Sequence, residues 1–219
     1  MKVGAVTGLA AEARVARRAG LTAQPSGGIA AQTAAIAESL LREGAEALIS
    51  FGIAGALAPV LTPGSLLVPR AVIDETGGRY AVDREWRTQI IDALRRAGLH
   101  IDEGDLLGAH EAAASPSRKA ELHRITGAVA IDLESHLVAQ AAARAAKPFL
   151  VLRAVADSAA QALPDAAVHG LAPDGKPALG RVLLSVARSP RQIPALIRLA
   201  GDTRRALDAL GSALRAVPL

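Results

Sequence analysis

The stretch "KPFLVLRAVAD" (residues 147–157) decides the fold. Between Pro148 and Asp157 every position except Arg153 is apolar. Strict apolar–polar alternation would mark a strand with one wet face. An unbroken run marks a strand buried on both faces, as in a largely parallel sheet covered by helices. The rest of the chain keeps the matching rhythm. "KVGAVTG" (2–8) predicts a first strand, and "AAEARVARRA" (10–19) a short helix after it. "GGIAAQTAAIAESLLREGA" (27–45) reads as a helix with a Gly-rich entry and Gly44 near its end. "EALISFGIAGA" (46–56) reads as a strand running into a Gly-rich turn, and "GSLLVPRAVIDE" (64–75) as one or two strands punctuated by Pro69. Helices over 84–97 and 116–124, a short strand over 104–108, the strand "GAVAID" (127–132) and a helix to about Ala146 complete the alternation. The pattern predicts a single-domain, three-layer α/β/α fold around a central mixed, largely parallel sheet.

Composition narrows the function. The chain has 219 residues, 51% of them apolar, enough for one domain with a substantial core. It has no cysteine, so disulfides, thiol nucleophiles and thiolate metal sites are out; this suits a cytoplasmic setting. The opening residues read as a strand rather than a signal peptide, since Glu12 soon breaks the apolar run. The only aromatics are Phe51, Tyr80, Trp86 and Phe149, which argues against a base-stacking platform for nucleic acid. Charge is uneven. From Gly180 to Leu219 seven arginines face Asp202 and Asp208, so this segment is basic. Ile193, Ala200, Leu207 and Leu214 recur every seven residues there, and Arg191, Arg198 and Arg205 hold another face. That describes an amphipathic helix with a basic side. Its apolar stripe either packs on its own domain, the better-supported reading, or lies on an anionic membrane or a partner subunit. The chain thus divides into residues 1–179, the α/β domain, and residues 180–219, a basic C-terminal helical extension.

Several residues could carry chemistry, and each has a plain structural alternative. In open α/β sheets ligands sit beyond the carboxyl ends of strands, and every candidate lies there. Gly52, Ala54 and Gly55 follow a strand and would let backbone approach a ligand, but the turn lacks a dinucleotide fingerprint. Asp157 could be a helix cap or a carboxyl held protonated in a dry cleft. Arg153 is a charge inside a buried strand and needs a partner. Glu12 in a first helical turn could serve only the helix dipole. In "AIDLESH" (130–136), Asp132, Glu134 and His136 alternate. On a continued strand they would share one face and imitate a metal site. The following "LVAQAAARAA" favours helix, so the strand should stop near Leu133 and the three side chains should diverge, with no metal bound.

Taken in order, "MKVGAVTGLAAEA", "GIAGAL", "GAVAIDLES" and "PFLVLRAVAD" resemble the purine nucleoside phosphorylase and methylthioadenosine/adenosylhomocysteine nucleosidase superfamily over residues 1–158. The "ESH" after "IDL" and the tail "SPRQIPALIRLAGDTRRALDAL" look like its hopanoid-associated phosphorylase branch, assigned to adenine removal from adenosylhopane. The resemblance implies cleavage of an adenine nucleoside's N-glycosidic bond. It implies Asp157 as the acid at adenine N7 and Glu12 as the residue that positions or deprotonates water. Glu134 would receive the ribose hydroxyls with Leu133 packed against the sugar, Arg153 would stand near the acid, and Gly52, Ala54 and Gly55 would form the turn beside the nucleoside. No cofactor is implied, although phosphate can be a co-substrate. The expected partners are a small adenine nucleoside with an apolar 5′ group and a second copy of the chain, a homodimer, with no nucleic acid. Membrane contact through 180–219 would make the protein peripheral to the inner membrane. Three departures stand out. The stretch between Glu12 and Gly27 is short, as if a strand or hairpin were missing. Ile53 and Ala156 replace small polar residues. The candidates for stacking on adenine are Phe51 and Phe149. The rival readings are a methylthioadenosine or adenosylhomocysteine nucleosidase and a non-catalytic module that binds a membrane or partner.

Overall fold

The computed structural model describes residues 1–168 and 170–217. In chain order the elements are β1 (Val3–Thr7), α1 (Ala10–Arg18), β2 (Thr22–Pro25), α2 (Ala30–Arg42), β3 (Ala47–Ala56), β4 (Leu66–Leu67), β5 (Ala71–Asp74), β6 (Arg79–Ala81) and α3 (Arg84–Arg96). They continue with β7 (Ile101–Asp102), β8 (Leu106–Gly108), α4 (Pro116–Thr126), β9 (Ala130–Asp132), α5 (Ser135–Arg144), β10 (Phe149–Asp157), α6 (Asp165–Val168), α7 (Leu179–Arg188) and α8 (Ile193–Ala216). The strands form one sheet ordered β6-β5-β8-β9-β3-β10-β4-β7, with β1 and β2 branching from β3. Most pairings are parallel; β3–β9, β10–β4 and β5–β6 are antiparallel. This is the expected mixed, largely parallel α/β sheet.

The "KPFLVLRAVAD" run forms β10, and every residue of it from Phe149 to Asp157 is buried. β10 lies parallel to β3 along most of its length. On its other edge, β3 pairs with β1 through Ala47–Ser50 and with β9 through Gly55–Ala56. The longest strand therefore carries two neighbours in succession, and the ends of β1, β9 and β10 gather round its C-terminal half. Helix ends follow local chemistry. Asp83 caps α3 by accepting from the Trp86 N–H at 2.8 Å. Ser115 caps α4, Pro116 opens it, and Gly127 closes it at φ 70°.

One sequence expectation changes, and another is met. The segment between Glu12 and Gly27 does contain a strand. "TAQP" forms β2, parallel to β1, and its four residues are too few and too polar to announce themselves. The C-terminal part of α8 packs its apolar stripe on its own domain, the better-supported of the two readings. Ala206, Leu210, Ala213 and Leu214 are buried in the same core as β3 and β10. By contrast α7 has no buried residue.

Candidate active site

An apolar cavity of about 190 Å³ opens where β1, β3, β9 and β10 end. Its walls include Leu9, Ile53, Ala54, Ile131, Leu133, Leu163 and Leu171, with Glu12, Glu134, Asp132, Asp157 and Lys119 as the charged groups. Of the residues singled out from sequence, Glu12, Ala54, Gly55, Leu133, Glu134 and Asp157 line it together. Gly52 and Arg153 lie behind the wall.

Glu12 reaches the cavity because α1 starts directly after β1. It occupies the third helical position, and its carboxylate turns back to the helix entry. The Leu9 N–H donates to Oε2 at 2.7 Å and the Ile53 N–H donates to Oε1 at 2.8 Å. One carboxylate thus ties the start of α1 to β3. Burial pushes its pKa above the ordinary carboxylate range, while Arg153 and these backbone donors pull it down. Gly52 allows the arrangement: a Cβ there would fall 2.6 Å from both the Glu12 carboxyl carbon and the Arg153 guanidinium.

Of the alternating acids and His of 132–136, expected to diverge, only His136 turns away; Asp132 and Glu134 both reach Arg153 Nη2 and both line the cavity. Asp132 ends β9 and accepts from the Ser135 N–H at 3.1 Å, forming part of the turn into α5. Glu134 is the residue at the entry of α5 and turns into the cavity. Gly8 makes room for it, since a Cβ there would sit 2.6 Å from Glu134 Oε1. His136 turns away; its ring meets His110 edge-on with centroids 5.0 Å apart. Among the described residues no group of three or more His, Asp or Glu is arranged to hold a metal ion.

Arg153 is fully buried beneath these acids. It pairs with Asp132 at 2.5 Å and Glu134 at 3.1 Å, and donates to Ser50 Oγ at 2.7 Å. Its expected place was beside Asp157, four residues on. A bulge intervenes: the register moves from Val155 opposite Ala54 to Asp157 opposite Gly55, so Asp157 does not continue Arg153's alternation. Three carboxylates therefore crowd one guanidinium. Burial and the neighbouring Asp132 and Glu12 raise the Glu134 pKa to about 8, against the pull of Arg153.

Asp157 has a different partner. Lys119 of α4 donates to its Oδ2 and to the carbonyls of Ser158 at 2.8 Å and Gln161 at 2.9 Å. All three ammonium protons are thereby used. Burial raises the Asp157 pKa, and Lys119 opposes the rise. Lys119 was missed in the sequence because it sits among Arg118, Glu121 and Arg124 on a polar helix. The available signal is its phase: Lys119 lies three residues from Leu122, and these two are the buried residues of α4. The proposed stacking residues are also relocated. Phe51 is sealed in the core, and Phe149 lines a separate groove with Tyr80 near the start of β10. Aliphatic side chains take their place in the cavity wall.

Glu12, Glu134 and Asp157 thus stand together in one largely apolar cavity at the strand ends. The Phosphorylase superfamily description matches residues 23–188, and the chain belongs to that family. It is an enzyme of the nucleoside phosphorylase and N-glycosidase type. No curated protein sequence matches it. Among solved structures it is similar to Neisseria meningitidis 5′-methylthioadenosine/S-adenosylhomocysteine nucleosidase in complex with methylthio-immucillin-A, with TM-score 0.71, 18% identity, and 99% of this chain and 100% of that chain covered. It is also similar to the Helicobacter pylori nucleosidase bound to butyl-thio-DADMe-immucillin-A, with TM-score 0.71, 15% identity and 98% of each chain covered. Helicobacter pylori futalosine hydrolase is similar too, with TM-score 0.70, 14% identity, and 98% of this chain and 97% of that chain covered. Identities this low establish a common fold.

Proposed function

We propose that the protein hydrolyses the N-glycosidic bond of an adenine nucleoside with a bulky apolar 5′ group, adenosylhopane in hopanoid biosynthesis. The observation that carries this reading is the pairing of two distinct carboxylate settings in one apolar cavity. Glu12 and Glu134 share Arg153, while Asp157 is held apart by Lys119. Breaking the bond between ribose C1′ and adenine N9 leaves positive charge on the sugar and sends the electron pair into the base. Asp157 gives its proton to N7, so adenine leaves neutral. Water attacks C1′, and Glu12 takes its proton. Glu134, once ionised, accepts from the 2′- and 3′-hydroxyls and favours the cationic sugar. Leu133 packs against the ribose, and Ala54 and Gly55 flank the nucleoside.

The cavity's charge favours water over phosphate as acceptor. Among its described lining residues the cation is Lys119, which is committed to Asp157. A phosphate dianion would meet Glu12 and Glu134 instead. The aliphatic lining and the tail's likeness to the hopanoid branch favour an apolar 5′ group. The soluble nucleosidase reading uses the same carboxylates and differs in that group; a methylthio substituent is also apolar. Adenine release from adenosylhopane, methylthioadenosine and adenosylhomocysteine, with and without added phosphate, tests both. Release from adenosylhopane at the highest kcat/KM, at a rate indifferent to phosphate, is expected. No release from any of them refutes N-glycosidase action on adenine nucleosides, and preference for methylthioadenosine refutes the hopanoid assignment. Strict phosphate dependence refutes hydrolysis. We also place the protein in the cytoplasm and as a homo-oligomer, which sedimentation analysis checks.

A further inference from the structure

From the structure we infer that α7 and the first two turns of α8 form a docking face for an anionic lipid bilayer beside the cavity mouth. The sequence placed the membrane option on the long amphipathic helix, but the C-terminal half of α8 is spoken for by the core. The exposed apolar surface lies earlier. Leu179, Leu183 and Ile197 are 69%, 67% and 69% exposed, with Leu184 and Ile193 also open. Along α7, Val182, Ser185 and Val186 are half-buried and turn inward, so Leu183, Leu184 and Arg188 turn out. Singly exposed leucines need no explanation, but five exposed large apolar side chains between Leu179 and Ile197 do.

Charge selects the occupant. Lys176 is paired with Asp174 at 2.9 Å, and from there to Gly201 the chain carries Arg181, Arg188, Arg191 and Arg198 and no Asp or Glu. Arg188, Arg191 and Arg198 are all exposed. In a two-fold contact between copies the same patch would meet itself, setting arginines against arginines. An anionic bilayer complements both features, accepting the leucines below its headgroups and the arginines among them. The face is also joined to the site. Leu171 lines the cavity, and the hairpin from Gly170 to Ala178 that carries it leads directly into α7. The Ala178 N–H donates to the Gly170 carbonyl at 2.7 Å, and the Gly175 carbonyl accepts from the Ala10 N–H at 2.9 Å at the entry of α1. A bilayer under α7 would therefore lie close to the mouth of the cavity. The inference stands whether or not the substrate is a lipid, since it concerns binding alone.

The test is co-sedimentation of the full chain with phosphatidylcholine vesicles containing or lacking a quarter phosphatidylglycerol. Binding to the anionic vesicles, weakened at high salt and at least about tenfold weaker for a Leu179→Asp/Leu183→Asp double variant, is expected. An Arg188→Glu/Arg191→Glu variant should lose binding to a similar degree. Both pairs lie at exposed positions, and unchanged melting temperatures would show that the fold is kept. No binding of the wild-type chain, or equal binding by the leucine variant, overturns the inference. So does a wild-type dimer that the leucine variant converts to monomer, which would make the face an interface between copies.

Discussion

Asp157 and Lys119 face each other in a dry site, and each changes what the other can do. Burial favours the protonated acid, while the ammonium favours the carboxylate. Asp157→Asn keeps the shape and removes the transferable proton. Turnover should fall by about 10²–10⁴-fold in protein that still unfolds cooperatively, read by adenine release and calorimetry. A Lys119→Met variant removes the opposing charge, so the Asp157 pKa should rise further. The alkaline limb of the kcat/KM profile should then move to higher pH, which a purely structural lysine would not cause. The same variant leaves the Ser158 and Gln161 carbonyls without their donor, at a cost of about 1–3 kcal/mol.

At the scale of elements, the turns decide which side chains meet. The bulge in β10 sends Arg153 and Asp157 to different partners, and the entry into α5 turns His136 away from Asp132 and Glu134, which share Arg153. Glycines at 8 and 52 clear the space for Glu134 and Glu12. α8 closes the sheet over β10 through Ala206, Leu210, Ala213 and Leu214, so it acts as part of the core rather than as an appendage. Leu210 is fully buried. Leu210→Ala should cost about 2–5 kcal/mol in denaturant unfolding, although it lies in the segment the sequence set apart as an extension. A loss under about 0.5 kcal/mol, typical of a surface site, would mean that α8 is not part of the core.

For the whole molecule, the carboxylates gathered round Arg153 make stability depend on pH. Glu134 ionises near its usual value when unfolded and at about 8 when folded. Between those values the folded state holds the extra proton, so stability falls as pH rises through that window and levels off above it. The slope is at most about 1.4 kcal/mol per pH unit for this group. Glu134→Gln should flatten the decline in melting temperature between pH 5 and about 8, a range taken from the linkage above. An identical slope in variant and wild type would mean that Glu134 does not hold this proton.

The sequence by itself determined the α/β alternation, the doubly buried β10 and the placing of Glu12, Glu134 and Asp157 each at the end of a strand. These follow from local physics: apolar periodicity sets strand and helix, and glycine and helix propensity set where one becomes the other. Only the tertiary structure decided the rest. It gave Arg153 to Asp132 and Glu134, and Lys119 to Asp157. It left aliphatic walls where Phe51 and Phe149 were expected, and it buried the C-terminal half of α8 while leaving α7 without a buried residue. Those outcomes depend on partners distant in the chain. Lys119 and Asp157 are 38 residues apart, and Arg153 and Ser50 are 103 apart. A charge reads as solvated or buried only once the element opposite it is known, and no local pattern carries that information.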